Sequence, residues 1–125
     1  MVKGSIQEPT FLILTALAGG ALHGYGIIGE VGELSGGRVT LRAGTLYAAL
    51  DRLTDDGLII ADREEIVDGR LRRYYRLSDR GAGVLDEEVH RLRRNAQAAA
   101  ERLYSRARGA SGASGVSGLA QPGPA

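Results

Sequence analysis

The chain has 125 residues, enough for one domain with a modest core, and a quarter of them are charged. It contains no cysteine, which excludes disulfides and thiolate metal sites and suits a reducing cytoplasm. A formal net charge of +1 leaves the choice of partner to how the charge is distributed. Residues 1–62 carry four basic and seven acidic side chains, residues 63–108 carry twelve and eight, and residues 70–80 alone hold five arginines and one aspartate. The positive charge is therefore a local patch.

In chain order, the first feature is Lys3 followed by the apolar run FLILTALA (11–18), a loose imitation of a signal peptide. Glu8-Pro9 directly before the run argues against that reading, and Pro9 is placed where prolines open helices, so the first helix is expected over 9–18 with Gly19-Gly20 ending it. A second helix follows His23-Gly24 and runs to about Leu34, carrying Tyr25, Ile27, Ile28, Val31 and Leu34. Gly26, Gly29 and Gly32 each weaken it by up to about 1 kcal/mol, so packing must hold it. SGGR (35–38) reads as a loop. The third helix spans about 42–56, with Leu46, Leu50 and Leu53 on one face and Gly57 closing it.

Residues 58–67 and 70–78 read as two strands joined by Asp68-Gly69, a strong hairpin signal. Alternation in the second strand puts Leu71, Arg73, Tyr75 and Leu77 on one face and Arg70, Arg72, Tyr74 and Arg76 on the other. Ser78 and Asp79 then start a long last helix through about Arg106. Its apolar residues Leu85, Val89, Leu92, Ala96, Ala99 and Leu103 step by fours and threes, a heptad stripe. The Gly-, Ser-, Ala- and Pro-rich remainder reads as disordered. The expected fold is mainly α with a small β-hairpin. A winged helix-turn-helix domain covers 1–78, a long C-terminal dimerisation helix covers 79–106, and a disordered tail covers 107–125. No run approaches the roughly 20 apolar residues of a membrane span, so no membrane partner is expected.

A helix that enters a DNA major groove needs an apolar face to seat it and small or hydrogen-bonding residues in its N-terminal half. Arg42, Ala43, Gly44, Thr45, Tyr47 and Ala48 meet that description. Asp51, Asp55 and Asp56 would be repelled by phosphates, which confines the contact to the first two turns. Arg70, Arg72 and Arg73, at or beside the hairpin tip, are placed as a wing for phosphates or the minor groove. Double-stranded DNA is the expected partner. The long helix would span about 42 Å, more than a small domain can cover, so its stripe is expected to pack on a second copy, with the first helix sharing the interface. His23 and His90 lack any cluster of ligands or nucleophiles. No catalytic site, metal or cofactor is expected, and His23 is read as packing or hydrogen-bonding at the start of the second helix.

HGYGII (23–28), GTLYAALDRLTDDGLI (44–59) and DGRLRRYYRLSDRGAGVL (68–85), in this order and with the paired Tyr74 and Tyr75, resemble the PadR-type transcriptional regulators over roughly residues 8–106. The resemblance implies a homodimeric repressor of the short type. Tyr47 and the small residues before it would face DNA, and Arg72 and Arg73 would sit on the wing. The chain departs from the family pattern at Arg42-Ala43, where a serine or proline is usual, and at Ala48, where a proline or arginine is usual. The first change removes a cap and adds a cation; the second takes away a base-reading side chain. A protein-interaction module and a ligand-sensing regulator remain as alternatives, and a small-molecule effector at the dimer seam stays open.

Overall fold

Pro9 stands in the first turn of the first helix, where its missing N–H leaves no bond unmade. A computed structural model describes residues 6–114, with side chains through residue 110. The elements run α1 (Glu8–Ala18), β1 (Leu22–His23), α2 (Gly24–Leu34), α3 (Ala43–Asp55), β2 (Ile59–Val67), β3 (Arg70–Leu77) and α4 (Asp79–Ser114). Helix α1 buries Leu12, Ile13, Leu14, Ala16 and Leu17. The apolar run that imitates a signal peptide is thus the inner wall of the core. Glu8 at its start forms a two-pronged ion pair with Arg38 in the loop before α3.

Ile27 and Val31 of α2 and Leu46, Ala49, Leu50 and Leu53 of α3 close the same core together with Leu58, Ile59 and Tyr75. The three-glycine helix α2 is held by that burial, as its weak propensity requires. Gly57 ends the turn after α3 at φ 77°, the left-handed conformation that its position predicts.

The sheet differs from a lone hairpin. Its order is β1-β3-β2, because Leu22 and His23 pair antiparallel with Tyr75 and Tyr74 of β3. Two residues leave no alternation to read, so the third strand was invisible locally. Asp68 (φ 52°) and Gly69 (φ 76°) turn the β2–β3 hairpin with both central residues left-handed, as the right-handed twist of the strands demands. Asp62 is an extra residue in β2 between the Ala61–Tyr75 and Arg63–Tyr74 pairs, a bulge. The expected apolar face of β3 holds for Tyr75 and Leu77 but fails at Leu71, which is 61% exposed opposite the equally open Ile66. That end of the hairpin extends past the core.

Across the other face of the sheet, the Arg63 guanidinium lies 4.0 Å from the Tyr74 ring centre. Tyr74 in turn meets the His23 ring edge-on at 5.3 Å. Desolvation, then the charge of Arg72, pushes the His23 imidazole below its ordinary pKa, against an opposing pull from Glu65. His23 therefore packs at the start of α2 in its neutral form.

Ser78 joins the domain to α4. Its hydroxyl donates to the Gly57 carbonyl (2.6 Å) and accepts from the Gly81 N–H (2.9 Å), which caps the helix. Arg80 Nε donates to the Asp56 carbonyl at 3.0 Å. The start of α4 and the end of α3 are stitched at one point, and Val84 and Leu85 pack on the core from there. The chain divides into two compact units between Glu88 and Val89. This boundary falls inside α4 rather than at residue 78, because the first turns of the helix belong to the core. Helix α4 also overruns the expected end at 106 and reaches Ser114, so residues 107–114 are helical rather than tail. Ala107, Arg108 and Ala110 are good helix formers, and extending a helix is far easier than starting one. Residues 115–125 of the expected tail lie outside the described residues.

A methyl at Gly81 would lie 2.0 Å from the Leu58 carbonyl oxygen, whereas one at Gly83, on the same helix, meets nothing within 4 Å among the described residues. Gly81→Ala should therefore cost roughly 1–3 kcal/mol by urea unfolding. Gly83→Ala should be neutral or stabilise by up to about 1 kcal/mol. For His23, the unfolded chain takes up the imidazole proton first as pH falls. Its contribution to stability is thus intact above about pH 6.5 and is lost as pH drops toward the lower folded value. Between about pH 7.5 and about pH 5.5 the urea midpoint should fall further for the native chain than for His23→Gln.

Candidate nucleic-acid interface

Once the leucine face of α3 is turned inward, the opposite side has to face out. Leu46 and Leu50 have no exposed surface and Leu53 only 2%, while Arg42, Ala43, Gly44, Thr45, Tyr47 and Ala48 are all exposed. The six residues expected on the groove side therefore share one open surface. Arg42 takes the N-cap position in extended conformation (φ −89°, ψ 154°) and makes no side-chain cap bond. The first-turn N–H groups of α3 thus carry no side-chain acceptor from Arg42, the arrangement that favours an anion at a helix start. A methyl at Gly44 would meet nothing within 4 Å among the described residues, so another backbone can come close there. Asp51 and Asp55 follow on the exposed side toward the C-terminal end.

The hairpin brings its tip to the same place. A cleft of about 360 Å³ is lined by His23, Gly24, Tyr25 and Tyr47 from the helical side and by Val67, Asp68 and residues 70–73 from the hairpin. Arg70, Arg72 and Arg73 therefore stand beside Tyr47, although more than twenty residues separate them in sequence. They are not equivalent. Arg73 is paired across the strands with Glu64, at 3.0 Å from both Nε and Nη2. Arg70 and Arg72 make no ion pair among the described residues. Further down the hairpin, Asp62 accepts from Arg63 and Arg76 at 3.2 Å each. Glu65 is held below the ordinary carboxylate range by hydrogen bonding from Tyr74, then from Arg63. The acids of β2 thus neutralise the body of the wing and leave Arg70 and Arg72 at its end uncompensated.

Gly24 and Tyr25 in this cleft were missed as site residues. Their motif, HGYGII, is conspicuous in the sequence, but its helical spacing was read as packing alone. Tyr25 is 69% exposed, and no local pattern tells that the start of α2 borders the groove face of α3.

The heptad stripe has no cover within a single chain. Leu85 belongs to the first unit and is half-buried against its core. In the second unit Val89 is half-buried, Leu92, Ala96 and Ala99 are exposed, and Leu103 is 64% exposed. Tyr104 beside it is equally open, with the Arg108 guanidinium 5.3 Å from its ring centre. Among the described residues no group of three His, Asp or Glu side chains is placed to hold a metal ion. No helix among them is long and apolar enough to cross a membrane.

Comparison with known proteins agrees with this geometry. The model of the transcriptional regulator PadR-like family matches residues 13–87. The chain is 39% identical over 80 residues to transcriptional regulator Rv3488 of Mycobacterium tuberculosis, covering 64% of this chain and 71% of that protein. A PadR family transcription regulator from Clostridium difficile R20291 superposes with a TM-score of 0.64 at 28% identity, covering 76% of this chain and 97% of that one. Bacillus subtilis PadR, solved in complex with operator DNA, gives 0.57 at 30% identity over 64% of this chain and 45% of that one. With the family match spanning more than half of its length and the winged-helix fold shared with these structures, the protein belongs to the PadR-like family of DNA-binding transcriptional regulators, which are not enzymes.

Proposed function

We propose that the protein is a homodimeric repressor that reads a two-fold symmetric operator in the cytoplasm. The observation that carries this reading is the shared cleft, in which the open N-terminal half of α3 and the uncompensated arginines of the wing tip border one space. In the dimer, the two α3 helices would enter successive major grooves about 34 Å apart, with the wings on the flanking backbone. Arg42, Arg70 and Arg72 supply phosphate contacts. Thr45 and Tyr47 face base edges, and Ala43, Gly44 and Ala48 allow the close approach. Arg73 can contribute by exchanging Glu64 for a phosphate, at some cost in the pair it gives up. The exposed Leu92, Ala96, Ala99 and Leu103, together with Val89 and the open side of Leu85, form the dimer seam, with α1 sharing it. The solved Bacillus subtilis PadR, whose structure holds operator DNA, supports the assignment of the partner.

An operator selected from the organism's own genomic DNA should be bound in preference to a scrambled duplex, with strong salt dependence. Replacing Arg70 and Arg72 by alanine together should weaken binding to every duplex and reduce the slope of log affinity against log salt by about two. Equal affinity for operator and scrambled duplex would refute the reading. Leu92→Asp with Leu103→Asp should give a folded monomer by sedimentation, with most operator affinity lost. A native chain that sediments as a monomer at binding concentrations would refute the dimer.

A further inference from the structure

Gly24 opens α2, and nothing in its own backbone calls for glycine, because it is absent from the positive-φ residues. Alanine would suit a helix better at that point. What excludes a side chain is a single neighbour. A methyl on Gly24 would lie 2.3 Å from the Tyr47 hydroxyl oxygen, 2.8 Å from Cζ and 3.4 Å from Cε1. Real Cβ atoms do not approach that closely, so the phenol end of Tyr47 rests directly on the glycine. Gly81 is equally crowded, but against the Leu58 backbone, while Gly29, Gly32 and Gly44 meet nothing within 4 Å among the described residues. Gly24 is thus the one described glycine whose obstacle is the side chain of a groove-facing residue.

We propose that Gly24 is a positioning residue for DNA reading: the gap left by its missing side chain seats Tyr47 and sets where the ring stands at the cleft. This inference rests on the reading of α3 as the DNA-facing helix. Tyr47 is 45% exposed, so its remaining surface is open while its hydroxyl end is anchored on α2. Recognition contacts tolerate errors of only about 0.5 Å. A Cβ at position 24 must displace the ring by more than that, because both the hydroxyl oxygen and Cζ lie inside contact distance.

The test is a double-mutant cycle in the full-length chain, using the selected operator and a scrambled duplex as probes. Gly24→Ala should lower the operator-over-scrambled ratio about tenfold or more and leave affinity for the scrambled duplex within about twofold. On a Tyr47→Ala background the same substitution should cause no further loss. Melting temperatures without DNA supply an independent cycle, in which Gly24→Ala lowers stability only when Tyr47 is present. Should Gly24→Ala fail to fold, the double variant must fold, and one that does not overturns the proposal. A native ratio in Gly24→Ala, or losses that simply add, also overturns it. Intact operator preference in the native chain with uncoupled variants defeats the seat alone, whereas a native chain without preference defeats the DNA reading beneath it.

Discussion

Burial of Leu46, Leu50 and Leu53 sets the rotation of α3, and most of what the molecule offers to a partner follows from that rotation. Each buried leucine contributes about 1.5–3 kcal/mol, far more than any interaction available to the exposed face. A helix so anchored cannot roll. Arg42, Gly44, Thr45 and Tyr47 are exposed because the leucines are not, and they keep a fixed disposition toward anything that approaches. The same core takes in Tyr75 and Leu77, which draws the base of the hairpin against the domain and determines where its tip ends.

Electrostatics then divides the wing into two parts. Along its body, Asp62, Glu64 and Glu65 meet Arg63, Arg73 and Arg76 in short ion pairs between exposed side chains. Such pairs are worth little individually, about 0–1 kcal/mol, but they cancel charge locally. Past the last acid of β2 the cancellation stops, and Arg70 and Arg72 face the cleft beside Tyr47 without an ion pair among the described residues. Phosphate therefore meets uncompensated charge at the tip and a competitor at Arg73. The bulge at Asp62 helps, since it places one carboxylate within reach of both Arg63 and Arg76.

The junction at Ser78 gives the two helical parts of the chain a common origin. Its hydroxyl bridges the Gly57 carbonyl and the Gly81 N–H, and Arg80 binds the last carbonyl of the α3 turn. The close approach of Gly81 to the Leu58 backbone leaves no slack there. In a dimer built on α4, this contact is where the subunit arrangement would be passed to the reading helix. A loose connection would blur the half-site spacing on which operator recognition depends.

Much of this was legible in the sequence, because local features need only near neighbours to express themselves. The 3-4 spacing of leucines, Pro9, Gly57, Asp68-Gly69 and the Ser78-Asp79 start each declare an element through backbone conformations or periods set within a few residues. The element order, the groove-facing residues of α3 and the heptad stripe follow from them. What the tertiary structure decided depends on residues distant in the chain. The two-residue strand at Leu22–His23 exists only through its pairing with Tyr74 and Tyr75. Leu71 is open because the core ends before it, and Arg73 differs from Arg70 and Arg72 because cross-strand register sets Glu64 opposite it. The extension of α4 to Ser114 is a matter of propagation outlasting an expected stop. The roles of Gly24 and Gly81 were hidden for the same reason: composition records a missing side chain, but only the folded chain shows what fills its place.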